Sequence, residues 1–270
     1  MLGTQTMHDA VTVPVRSNFD RRTLIVGAYV VVLSVLVAGL MLSPVPYSDP
    51  SFAAHYVLAE VGISVVCMGL TVKWFPAAQL GLRPPVRKRA AHALPLGFML
   101  LADLGCWIVG RLTLPAGAAF DSGLSGRTLL TTLLVGFNEE WMYRGLLLVA
   151  LARRLGLRRG AYAALTLFGM LHLINMLAGQ SAIATGVQFV MTLIIGASFT
   201  VAAIGLRSLW PGMLVHALHD FVVIDLNRLA VAGSARWPVL ALFCVTLAAG
   251  LASLVLLRYV HGSEPYAAVD

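Results

Sequence analysis

The chain has 270 residues, of which 59% are hydrophobic and 11% charged, and its formal net charge is +7. A soluble domain carries about 25% charged residues, so this composition excludes a water-soluble globule and points to a bilayer. The positive charge does not imply a nucleic-acid partner. Such a partner needs a contiguous basic face on a folded domain, whereas here the Lys and Arg residues sit in short connections between apolar runs.

Residues 1–22 read as a polar cytoplasmic tail with Arg16, Arg21 and Arg22 close to the first apolar run. That run, 23–43, is long enough to cross the hydrocarbon core as a helix. No small-residue cleavage site follows it, which predicts a signal anchor that stays. Further spans are predicted at 53–74, 92–114, 128–152, 160–178, 183–205, 209–226 and 238–258. The seventh of the eight is short and carries several polar residues. The expected fold is therefore all-α, a polytopic integral membrane protein of about eight transmembrane helices in one domain over 23–260. Residues 261–270 are expected to form a short disordered tail. Cys67, Cys106 and Cys244 lie inside apolar runs with no CxxC spacing, and are expected to be buried thiols acting as small hydrophobes.

Counting Lys and Arg sets an orientation. With the N-terminus in the cytoplasm, fourteen of the nineteen fall inside, among them Lys73, Arg83, Arg87, Lys88, Arg89, Arg153, Arg154, Arg158 and Arg159. Arg111, Arg127, Arg228 and Arg236 fall outside, and Arg144 lies within a span. This bias fits eight spans with both termini cytoplasmic. Composition and the short basic tails suit a bacterial inner membrane. The basic loop at 83–89 reads as a topology signal before it reads as a site for anionic headgroups.

Ionisable groups inside a span are costly and mark function by default. Here they cluster on three spans. The fourth holds Glu139, Glu140 and Arg144, the fifth holds Phe168 and His172, and the seventh holds His216, His219 and Asp220. Glu140 and Arg144 are four apart, so they share a helical face and can pair, while Glu139 points about 100° away. One carboxylate can then be held by the arginine while the other faces a cavity as a general base. His216 and Asp220 also share a face, and a carboxylate beside an imidazole sets its tautomer or basicity. His219 lies on another face and reads as supporting, and Asn175, one turn after His172, is a further cavity candidate. Two imidazoles and a carboxylate suit hydrolysis. They can activate water directly, or Glu139, His172 and His216 can hold zinc with water in the open position. The residues leave both options open, and the spacing is not HExxH.

At these positions the sequence resembles the CPBP family, the CAAX-protease and bacteriocin-processing (Abi) intramembrane proteases. That family shows EExxxR, FxxxH and HxxxN or HxxxD on separate spans. Here these are Glu139 to Arg144, Phe168 to His172, and His216 to Asp220, in that order. The resemblance covers roughly 128–226, and Leu80-Gly81-Leu82-Arg83 also looks like family members. It implies a CAAX prenyl protease type 2-like bundle that cleaves a membrane-associated protein or peptide. It implies that Glu139 activates the attacking water with help from His172, and that His216 and Asp220 hold the oxyanion or orient the water. Glu140, Arg144 and Phe168 would support the site. The family is described both as metalloproteases and as enzymes with a glutamate-activated water. Asp220 stands where the prenyl-protease branch has Asn, which weakens the expectation of a lipid-modified substrate. Two other functions compete. A non-catalytic membrane scaffold or bacteriocin-immunity protein would keep its phenotype without Glu139. A proton-coupled transporter would call for inverted repeats or paired broken spans, and neither is evident.

Overall fold

A computed structural model describes residues 51–74, 77–86, 91–114, 121–231, 236–262 and 265–266, together with the single positions 27, 30, 34, 45 and 49. The described residues are helical, with no strand among them. Helix α1 is Val57–Trp74, preceded by a short 3-10 turn, Phe52–His55. A second 3-10 turn, Ala77–Leu80, follows it. Helix α2, Leu94–Leu112, has proline in its first turn, where the missing N–H costs nothing.

Helix α3, Ser122–Glu140, opens on Asp121, whose carboxylate accepts a 2.8 Å hydrogen bond from the Leu124 amide. The rod continues as a π-helical turn, Trp141–Leu147, and then as α4, Leu148–Leu155. Gly156, at φ +79, breaks it. Helix α5 is Leu157–Leu171 and passes into a 3-10 turn, His172–Met176. Helix α6, Ala182–Leu206, is capped by Ser181 and stops at left-handed Arg207. Helices α7, Trp210–Val231, and α8, Arg236–Leu257, complete the bundle.

Several expected boundaries change. The 128–152 span is the middle of a rod that begins at Ser122, because Asp121 caps a Ser/Gly/Thr-rich turn that reads as loop by composition. The 160–178 span leaves α-helical geometry at His172. The short seventh span is a 22-residue helix. The tail at 1–22, most of the 23–43 run and the basic residues 87–89 lie outside the described residues. Within 23–43, Gly27, Val30 and Ser34 are helical. Ser34 Oγ lies 3.3 Å from Met142 Sδ, which sets that stripe against the π turn.

Among the described residues, three helices are long and apolar enough to cross a membrane: Ala91–Leu112, Ala182–Leu206 and Arg236–Leu257. The other long helices carry the polar residues of the interior. Of the cysteines, only Cys67 is buried; Cys106 is half-buried and Cys244 is exposed, because it lies on the outer face of α8. The tail is not wholly loose, since Tyr266 is buried in the core cluster.

Helices α3 and α7 form the central seam. Gly136 makes their close approach possible, since a Cβ there would stand 2.7 Å from Ala217 N and Met213 O. At one end of the bundle the connections are tied together: Val86 N donates to Leu206 O at 2.9 Å, Leu209 N to Gly81 O at 2.9 Å, and Leu157 N to Gly262 O at 2.7 Å. Towards the other end, Asp225 accepts from Arg111 at 2.7 Å, Trp107 at 2.9 Å and Ser125 at 3.1 Å, joining α2, α3 and α7. These polar ties suit helices whose apolar faces gain little from packing in lipid.

Candidate functional site

Glu139 and Glu140 end α3 just before the π turn, a local widening that often accompanies functional sites. Glu140 has no exposed surface, and its Oε1 accepts from Arg144 at 2.9 Å. Arg144 also donates to Gly196 O at 3.0 Å and to Thr200 Oγ1 at 3.3 Å. Its guanidinium lies 4.1 Å over the Phe168 ring. A Cβ at Gly196 would come within 2.7 Å of that guanidinium, so only glycine leaves room for it. Gly212 faces Glu140 in a milder version of the same relation, with a Cβ 3.3 Å from Oε2.

His216 comes from α7 and joins both carboxylates. Its Nδ1 donates to Glu140 Oε1 at 2.9 Å. Its Nε2 lies 3.6 Å from Glu139 Oε2 and 3.6 Å from Asp220 Oδ2. Those separations are too long for direct hydrogen bonds, and they leave both carboxylates as close electrostatic neighbours of the imidazole. Glu139 Oε2 and Glu140 Oε2 are buried with no hydrogen-bond partner among the described residues. Phe199 stacks on the His216 ring at 4.8 Å, and Phe168 meets it edge-on at 5.9 Å.

His172 meets Phe168 edge-on, with ring centroids 5.2 Å apart. Its Nδ1–H donates to Phe168 O at 3.1 Å, which leaves Nε2 as the nitrogen with a free lone pair in the neutral ring. Phe168 therefore touches both histidines and supports Arg144 as well. Asn175 turns away from this group and donates to Gln188 at 2.9 Å. His219 pairs with the fully buried Asp103 of α2 at 2.9 Å, on a different side of α7.

Glu139, His172 and His216 are not gathered into one ligand set here. Among the described residues, no three His, Cys, Asp or Glu side chains are grouped as ligands. With Nδ1 committed to Glu140, His216 has Nε2 to offer, and the acidic neighbours there are Glu139 and Asp220 at 3.6 Å.

Sequence reasoning passed over Gly196, Thr200, Phe199 and Asp103. Thr200 and Phe199 sit in an apolar helix where nothing distinguishes them from packing residues. Asp103 did carry a signal, being a lone acid in the apolar run of the third span.

Fold and cluster together define a helical membrane protein whose buried carboxylates, imidazole and guanidinium converge on one seam. Residues 122–222 match the family model described as Rce1-like, type II CAAX prenyl endopeptidase. The match runs from the start of α3 into α7 and contains all three motifs, so this stretch carries the signature of the CAAX protease family, in agreement with the resemblance to the CPBP proteases. No curated protein matches the chain.

Proposed function

We propose that the protein is an intramembrane endopeptidase that hydrolyses a peptide bond of a membrane-associated substrate with a glutamate-activated water. The observation that carries this reading is His216, fixed by Glu140 at Nδ1 and facing Glu139 and Asp220 at Nε2. A water bound beside Glu139 and His216 Nε2 attacks the scissile carbonyl as Glu139 takes its proton. A tetrahedral oxyanion forms, and His172, which packs edge-on against Phe168, helps hold the reacting groups. When the C–N bond breaks, the proton passes from Glu139 to the leaving amine. Asp220 orients His216, while Glu140 and Arg144 keep that imidazole in place and are not consumed.

The same reading sets eight spans around one transmembrane domain at 23–260, with both termini cytoplasmic in a bacterial inner membrane. The arginine counts favour this, and the ties at 81–86, 155–157, 206–209 and 262 bring most of the described basic connections to one end. A peptide or protein is the substrate class. The matched family model is named for prenyl endopeptidases; Asp220, in place of Asn, favours a broader choice here.

The test is cleavage of a quenched peptide panel, prenylated and unprenylated, by purified protein beside Glu139→Gln and His172→Ala, with and without a zinc chelator. Cleavage by wild type that both substitutions abolish and the chelator leaves intact is expected. Equal cleavage by all three proteins would overturn the assignment.

A further inference from the structure

Tyr266, beyond the last described helix, packs against the element that carries Arg144. Tyr266 follows the last helix, yet it is buried in the same core cluster as Leu80 and Trp141. Its hydroxyl donates a 2.8 Å hydrogen bond to the carbonyl of Arg144, a residue 122 positions earlier. Burial pushes the phenol well above its ordinary range, so it remains an O–H donor.

Arg144 is the fourth residue of the seven-residue π turn. Such turns are rare and persist where outside contacts hold them. Tyr266 supplies a contact at the middle of the turn. Its ring occupies a socket at Gly81, where φ is +75 and an added Cβ would lie 2.9 Å from ring carbons. The Gly81 carbonyl accepts from Leu209 N at 2.9 Å, at the start of the helix that carries His216. One side chain therefore touches the turn that presents Arg144 and the loop that anchors α7.

We propose that Tyr266 is a positioning residue for the candidate site: its hydroxyl fixes the π turn in the register that keeps Arg144 on Glu140, and Glu140 on His216. This rests on the catalytic reading given above. The connection is a continuous run of contacts, from Tyr266 to the Arg144 carbonyl, from the Arg144 guanidinium to Glu140 at 2.9 Å, and from Glu140 to His216 at 2.9 Å. Losing the hydroxyl while keeping the ring relaxes the turn without emptying the core.

The experiment compares the full-length wild type with Tyr266→Phe and Gly81→Ala, following backbone hydrogen exchange over 141–148 as well as kcat and KM on a cleaved peptide. Tyr266→Phe is expected to speed exchange over 141–148 by about tenfold, leave exchange in α2 and α8 unchanged, and lower kcat by about five- to tenfold at constant KM. Gly81→Ala, which displaces the ring, should reproduce both effects. Wild-type exchange and wild-type kcat in Tyr266→Phe would overturn the proposal, as would faster exchange with kcat untouched, or faster exchange spread evenly over all helices. Glu139→Gln separates this from the catalytic reading. If it is inactive while Tyr266→Phe behaves as wild type, only the positioning role fails. If Glu139→Gln still cleaves while exchange over 141–148 rises in Tyr266→Phe, the catalytic reading fails and the tie to the π turn stands.

Discussion

The α3–α7 seam and the α2–α8 flank are built from the same kind of helix and do opposite work. The seam buries Asn138, Glu140, Arg144 and His216. The flank turns Phe98, Leu101, Leu112, Trp237, Leu240 and Leu251 outward, and its two helices are among those apolar enough to cross a membrane. Helices rich in buried polar groups fail a simple span criterion because their polar side is spent on one another. In this protein, the helices of the seam are less membrane-like by composition than those of the flank, and they carry the cluster of buried charges.

The contrast can be broken most sharply at Glu139. Replacing it with Gln keeps size and packing but removes the base, and peptide cleavage should fall by at least about 10³-fold with thermal stability near wild type. A collapse in stability instead would make Glu139 a structural residue of the seam.

Arg144→Met should act the other way. It strands the buried Glu140 carboxylate, and breaking a buried pair from one side costs about 3–5 kcal/mol, which thermal unfolding in detergent would report. Gly196→Ala brings a Cβ against that guanidinium at 2.7 Å. Overpacking of this kind costs about 1–3 kcal/mol, and cleavage should decline with it.

Asp225→Asn sharpens the difference between a polar cluster that reacts and one that only holds helices. It weakens the tie to Arg111, Trp107 and Ser125, so unfolding temperature should drop while kcat at the remote site stays within about twofold. The smallest effect belongs to the flank: Leu240→Ala, on the outer face of α8, should change stability by no more than about 0.5 kcal/mol. A larger loss would mean that this face is covered by something other than lipid.

Much of the site was legible because ionisable residues stand out in apolar sequence. The pairing of Glu140 with Arg144 followed from four-residue spacing on one helix. The role of Phe168 between His172 and His216 did not, because a phenylalanine in a span looks like any other apolar residue. The zinc set was readable as a list of residue types, but among the described residues Glu139, His172 and His216 are not grouped as ligands. The tail from 261 looked loose because it is short, polar and terminal. Tyr266 is buried there only because Gly81, some 185 residues away in sequence, leaves it a socket.

By itself the sequence determined that this is a helical membrane protein, which residues inside it are too costly to be accidental, and which of them share a helix face. These are local properties, set by composition and by the 3.6-residue repeat. Only the tertiary structure decided which helices meet, that His216 lies between three carboxylates, that small residues at Gly136 and Gly196 permit the approach, and that Tyr266 bonds the Arg144 carbonyl. Those depend on contacts between residues far apart in the chain, and no periodicity within one helix encodes them.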